Sequence, residues 1–366
     1  MSERIPVTEA TSTEPVRRLP RALPFFAWAS FVVNVIIIGT GGAVRLTGSG
    51  LGCMEWPFCT PDSLVPTPEL GIHGIIEFGN RTITGVLVVL ALAVLLLVLN
   101  AVGGRPLLFN ALAFALASLV AGGLAWLITA LMGLPGFVFF SAVLLIGVVI
   151  AAIVSIRRAP ARLDLVTLAW IVLVGVVAQA FVGGITVLTR LNAFIVGFHY
   201  VSSVILVCVT AAFLVRMRET PGRRELVVPK PFLILGHVTT LVLAATVFIG
   251  VLTTANGPHS GDDEVVRRGF DASLLAHLHS WPGYVLLALA AVLTVWAAVR
   301  RLRPLPWLVA LLVVLAIQIA VGVYQSRAGL PPFAVGVHMV LAALSAALMT
   351  VAILRLKRPV APPVGA

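Results

Sequence analysis

QAFVGGITVLTRLNAFIVGFH (179–199) and QIAVGVYQSRAGLPPFAVGVH (318–338) are equally long, begin with glutamine and end in Val-Gly-x-His. Gly183 and Gly322 fall at equal offsets, as do Phe194 and Phe333, and the arginines in the middle of the copies, Arg190 and Arg327, read as counterparts. Each copy takes in the end of one apolar run, a short turn and the start of the next run. A repeated helix pair with its histidine in register implies a duplicated half, a common origin of membrane folds. GGAVRLTGSGLG (41–52) and GVLTTANGPHSG (250–261) head the remaining helix pairs more loosely. The expected fold is therefore an all-α polytopic membrane protein with two pseudo-symmetric four-helix halves.

Composition agrees. The 366 residues are 60% hydrophobic and 11% charged, whereas a soluble domain carries about a quarter charged residues. Apolar runs of about 20 residues are what a bilayer core of about 30 Å demands. About ten spans are predicted, over 25–44, 71–98, 107–131, 135–156, 164–188, 193–215, 231–253, 271–299, 305–325 and 332–354. The third and fourth are cut from one apolar stretch at MGLPG (132–136) and form an inserted helical hairpin, 107–156.

The net charge is +11, but its distribution speaks for a lipid bilayer and against nucleic acid. With the N terminus inside, 19 of the 25 lysines and arginines fall in inner segments, the bias expected of cytoplasmic loops. Arg45, Arg81, Arg190, Arg267, Arg268 and Arg327 are the exceptions. The division is then a cytoplasmic tail (1–22), an N-terminal half (23–218) containing the hairpin, a C-terminal half (219–355) and a second cytoplasmic tail (356–366). The location is the cell membrane, with both termini cytoplasmic and the chemistry towards the outer face.

His73, His199, His277, His279 and His338 all sit near the outer ends of inward-running spans. His259 is in an outer loop, and His237 is at the opposite depth. Ionisable groups within a span mark a pathway, a relay or a cofactor. Histidine is a common haem-iron ligand, and opposed helices of a bundle can supply two. On this reading His199, His279 and His338 are metal ligands, and Gly183, Gly184 and Gly336 admit a flat porphyrin. The alternative for each histidine is a hydrogen bond to a neighbouring helix.

The run GIHGIIEFGNRTITG (71–85) places His73, Glu77, Asn80 and Arg81 on one helix face. Such a stripe fits the wall of a haem-sized cleft. Arg45 and Arg81 suit haem propionates or act as interfacial arginines, and Glu77 suits acid–base chemistry or an ion pair with Arg81. Cys53 and Cys59 flank MEWPF in an outer loop, where a disulfide is allowed. Two free thiols, or thiol exchange and metal delivery, are the alternatives. Cys208 reads as a small buried hydrophobe.

In order, GGAVRLTGSGLGCMEWPFC, IEFGNR, QAFVGGITV, GPHSGD, HLH and VGVHMV resemble the haem A synthase family of cytochrome oxidase assembly. The resemblance covers nearly all the chain apart from the hairpin and tails. It implies an oxidoreductase that oxidises the C8 methyl of haem O to the formyl group of haem A, with haem b as cofactor. It implies that His279 and His338 hold haem b, that His199 lies on the substrate side, that Glu77 is catalytic and that Cys53 and Cys59 form the family's loop pair. Haem O synthase, assembly factors and an unknown electron acceptor are the implied partners. The chain looks like an actinobacterial-like variant, because Asn80 stands where many members have a histidine before the arginine. Either His73 replaces that histidine, or His199 holds the substrate haem alone. Competing readings are a di-haem b-type cytochrome exchanging electrons with quinone, a transporter, and a non-catalytic haem chaperone.

Overall fold

A computed structural model describes residues 19–256, 259, 261–262 and 271–360, without the side chains of 256, 272 and 273. Of the residues used above, Arg4, Arg17, Arg18, Arg267, Arg268 and the tail 361–366 lie outside these. The helices are α1 (Leu23–Leu46), α2 (Gly71–Leu131), α3 (Gly136–Arg158), α4 (Leu163–Leu188), α5 (Ala193–Met217), α6 (Lys230–Asn256), α7 (Ala272–Val299), α8 (Leu305–Arg327) and α9 (Pro332–Leu354). Among the described residues these nine are long and apolar enough to cross a membrane. Leu116, Val120, Leu131 and Phe194 are exposed on them, a surface suited to lipid and unsuited to water. The chain is a polytopic all-α membrane protein.

Ten predicted spans become nine helices because α2 contains two of them. Its 61 residues would extend about 90 Å if straight, three times the bilayer core. Gly104 breaks the run with φ 62° and ψ −159°, a conformation open to glycine for want of a Cβ. Pro106, two residues on, starts the second arm without needing an N–H partner. That arm packs along α3, with Gly122 against Phe140 and Gly147 against Ser118, and forms the predicted hairpin.

The remaining eight helices make two sets with the same contacts. In the first, α1 and α4 each touch α2 and α5; in the second, α6 and α8 each touch α7 and α9. The turns repeat as well. Leu191 N–H donates to the Thr186 carbonyl at 2.7 Å, and Leu330 N–H to the Gln325 carbonyl at 2.8 Å. Positive φ falls at Arg190 and Leu191 in one turn and at Gly329 and Leu330 in the other. Gly329, not Arg327, is therefore the counterpart of Arg190. The sets meet along a seam where Ala343, Ala347 and Val351 of α9 pack on Val204, Val207 and Ala211 of α5.

The end of the bundle remote from Cys53 is tied by charge and by a small ladder. Glu219 is buried and lies 3.0 to 3.6 Å from Arg216, Arg224, Arg303 and Arg355. Arg224–Leu226 (β1) pairs antiparallel with Lys357–Pro359 (β2), so part of the expected tail is ordered against the connection between the sets.

Candidate functional site

Four helix-facing glycines define four equivalent sockets. A Cβ on Gly250 of α6 would stand 2.7 Å from Cε1 of His279 on α7, and one on Gly322 of α8 would stand 3.1 Å from Cε1 of His338 on α9. In the first set, Gly183 of α4 faces His199 of α5 at 3.6 Å, and Gly41 of α1 faces Asn80 of α2 at 3.8 Å. Each socket thus joins the two helices of one pair and lets a planar side chain lie against bare backbone.

In the second set the two imidazoles are neighbours, with ring centres 6.1 Å apart and planes inclined at 75°. A metal–imidazole bond is about 2.0–2.1 Å long, so two rings on opposite sides of one ion would have centres roughly 6.4 Å apart. His279 Nδ1 lies 3.1 Å from the Thr246 carbonyl; as a donor there it leaves Nε2 with its lone pair. The buried Nδ1 atoms of His338 and His199 have no hydrogen-bond partner. Among the described residues, no three His, Cys, Asp or Glu side chains gather to hold a bare metal ion. Two imidazoles with glycine behind them suit a group that brings its own equatorial nitrogens, so the residues present fit haem.

Glu77 lies one turn before Asn80 on α2 and is 4% exposed. Its Oε1 accepts from Arg81 Nη2 at 2.6 Å and its Oε2 from the Cys53 N–H at 2.7 Å. Arg81 also donates to the carbonyls of Cys53, Glu55, Pro57 and Phe58 at 2.8 to 3.4 Å. The Cys53–Cys59 disulfide expected from the sequence closes this same loop. Glu77 and Arg81 therefore form the floor of a disulfide loop, and the ion-pair alternative for Glu77 is present. In the loop, Trp56 packs against Phe137 of α3 and Phe181 of α4.

Several expected residues have other neighbours. Gly184 lies against the Trp56 ring, and Gly336 against Leu46, so neither fronts a histidine. Arg45 donates to the carbonyls of Thr254 and His259 at 2.6 and 2.7 Å, binding the end of α1 to the last turn of α6 and to His259 beyond it. His73 is exposed and its Nδ1 lies 2.9 Å from Ser49 Oγ. It stands about 10 Å along the helix from Asn80 at 1.5 Å per residue. His237 and His277 are exposed, His259 Nε2 lies 2.8 Å from the Leu330 carbonyl, and Cys208 is half-buried. Sequence reasoning gave Gly41 and Gly250 no role and passed over Thr40; the available signal was that the segments 41–52 and 250–261 both open on glycine.

The chain is similar in part to haem A synthases. That of Bacillus pumilus is 46% identical over 69 residues, 18% of this chain and 21% of that protein. That of Geobacillus kaustophilus is 33% identical over 90 residues, 23% of this chain and 26% of that protein. A protoheme IX farnesyltransferase of Thermus thermophilus is 35% identical over 88 residues, 24% of this chain and 14% of that protein. The matched stretches cover 14% to 27% of the relatives' own length. No family model matches the chain.

Proposed function

We propose that this chain is a haem A synthase, an oxidoreductase that converts the C8 methyl of haem O to a formyl group. The observation that carries the reading is the difference between two otherwise equivalent sets. One has an imidazole pair in its sockets, His279 and His338; the other has one imidazole there, His199, and a buried carboxylate, Glu77. Three residues before His279 the second set has Ala276, where the first has Glu77 before Asn80. One set is built to hold a haem, the other to act on one.

In this reading His279 and His338 hold haem b through their ring nitrogens, with Gly250 and Gly322 giving each ring its place. Haem b bound there supplies one-electron transfer to an acceptor outside the chain. His199 and Asn80 flank haem O in the other set. The formyl oxygen comes from a water molecule, the four electrons pass to the outside acceptor, and Glu77 takes the released protons one at a time at Oε2, whose partner is the neutral Cys53 N–H rather than the Arg81 cation. The loop over Glu77 keeps bulk water from that oxygen, and Arg81 holds the loop shut. The bias of basic residues supports a cytoplasmic side for both termini and the outer face of the cell membrane for this end. Haem O synthase is the natural supplier of substrate, and the similarity to a protoheme farnesyltransferase supports a place in the same chemistry.

The test is haem extraction and chromatography from membranes that co-express the chain with a haem O synthase. Haem A, or its hydroxylated precursor, absent from an empty-vector control, is the expected result. A red protein from cells holding only haem B and haem O would favour an electron-transfer cytochrome or a chaperone. A colourless protein would overturn the reading.

A further inference from the structure

Three of the four sockets face an imidazole and the fourth faces an amide. We infer that Asn80 occupies the fourth axial-ligand position, so that a haem held by His199 keeps one axial place open to a small neutral diatomic molecule, with the Asn80 amide beside it. This rests on the proposed function for what the sockets hold.

The register argument is independent of any single residue. Gly41 and Asn80 join α1 to α2 as Gly250 and His279 join α6 to α7, within sets whose helix contacts match pair for pair. His279 lies across from His338 in the second set; by the same correspondence Asn80 lies across from His199 in the first. A neutral amide is a weak partner for iron, which imidazole suits far better. Asn80 thus occupies the position without closing it.

The amide is also held in a particular sense. Thr40 Oγ1 lies 2.8 Å from Asn80 Oδ1 and donates to it, and 3.4 Å from the Ile37 carbonyl. Ile37 precedes Gly41 by four residues, the same interval that separates Thr246, whose carbonyl takes His279 Nδ1, from Gly250. Thr40 therefore occupies the space that an imidazole Nδ1–H would use, and its counterpart before Gly250 is the apolar Ile249. With Oδ1 engaged, the NH2 end of Asn80 is the end free to donate to a ligand. Hydrogen-bond donors beside an open iron position decide which small molecules bind there. His73 does not compete for the position, being two turns away and engaged by Ser49.

The experiment uses the full chain purified in detergent, titrated with haem B to two haems per chain, reduced, and exposed to carbon monoxide. The expected result is that half of the haem forms a carbonyl complex. Asn80→His is expected to abolish that fraction and give two low-spin haems, and Thr40→Val to keep it with a shifted carbonyl stretching frequency. The reciprocal change His279→Asn puts an amide, without the threonine, into the corresponding socket of the second set and is expected to make all of the haem reactive. Two bound haems with no carbonyl complex in the wild type, loading that stops at one unreactive haem, or a reactive fraction unchanged in Asn80→His would each overturn the inference while leaving the proposed function standing. A chain that takes up no haem would overturn both.

Discussion

Arg81→Ala removes the guanidinium that joins Glu77 to four carbonyls of the disulfide loop. Taking one partner from a buried ion pair costs about 3–5 kcal/mol, because the other charge is left without compensation. The lower end applies here. Arg81 is 19% exposed, and Glu55 and Phe58 are exposed residues whose carbonyls water can reach once freed. A local cost of about 3 kcal/mol is roughly a hundredfold in an opening equilibrium. The assay is hydrogen exchange with mass spectrometry on peptides covering residues 53–59, disulfide intact. Their exchange is expected to quicken about a hundredfold, while peptides from the second arm of α2 stay unchanged. Arg81→Lys supplies a point charge for Glu77 but no planar fork for the carbonyls, so its loop is expected to fall between. Exchange in Arg81→Ala within about twofold of wild type would refute the clamp, since even one lost hydrogen bond to a charged group is worth more than that.

Glu77→Gln keeps the size of the side chain and an acceptor for Arg81; haem content is expected to stay at the wild-type level while turnover stops or stalls at the hydroxylated intermediate, and loss of haem would remove Glu77 from the catalytic role. Gly250→Ala sets a Cβ 2.7 Å from His279 and is expected to disturb the low-spin haem spectrum, whereas Gly183→Ala, at an ordinary 3.6 Å from His199, leaves its haem in place; equal spectra for the two variants would count against the sockets. Replacing Cys53 and Cys59 by serine opens a loop of sequence separation 6, a loss of about 2 kcal/mol in the chain-entropy model, read as a lower thermal midpoint than wild type under non-reducing conditions. Glu219→Gln leaves four arginines around a neutral group and is expected to lower the thermal midpoint at low salt, with added salt restoring part of the difference by screening; insensitivity to salt would argue that the cluster is not electrostatic in effect.

The eight bundle helices and the hairpin were legible because each rests on a local property, an apolar run of bilayer length bounded by turn residues. The histidine register was legible for a second reason: the copies at 179–199 and 318–338 keep their spacing exact enough to survive inspection. The glycine sockets were only half visible. Gly183 stood out beside Gly184, yet which of the two faces His199 depends on how α4 is rotated in the bundle, and the ring of Trp56 claims the other. The partners of Arg45 and Arg81 were out of reach, because backbone carbonyls leave no mark in a sequence. The same holds for Glu219. In RMRETPGRREL (216–226) it reads as one of two acids among cations on a solvated loop, and only the folded chain brings Arg303 and Arg355 to it.

The hairpin is bound to the candidate site in two ways that differ in kind. Its first arm is the covalent continuation of the helix that carries Glu77, through Gly104. Its second helix meets the disulfide loop at Phe137, whose ring lies 5.1 Å from that of Trp56. A segment fastened at one end by the backbone and at the other by an aromatic contact closes a mechanical circuit. Tilting of the hairpin in the bilayer, by lipid thickness or by a neighbouring protein, would bear on the loop over Glu77 from both sides at once. Excision of 107–156 would likewise remove more than an appendage: it would strip Trp56 of a wall and leave its ring resting on Phe181 and Gly184.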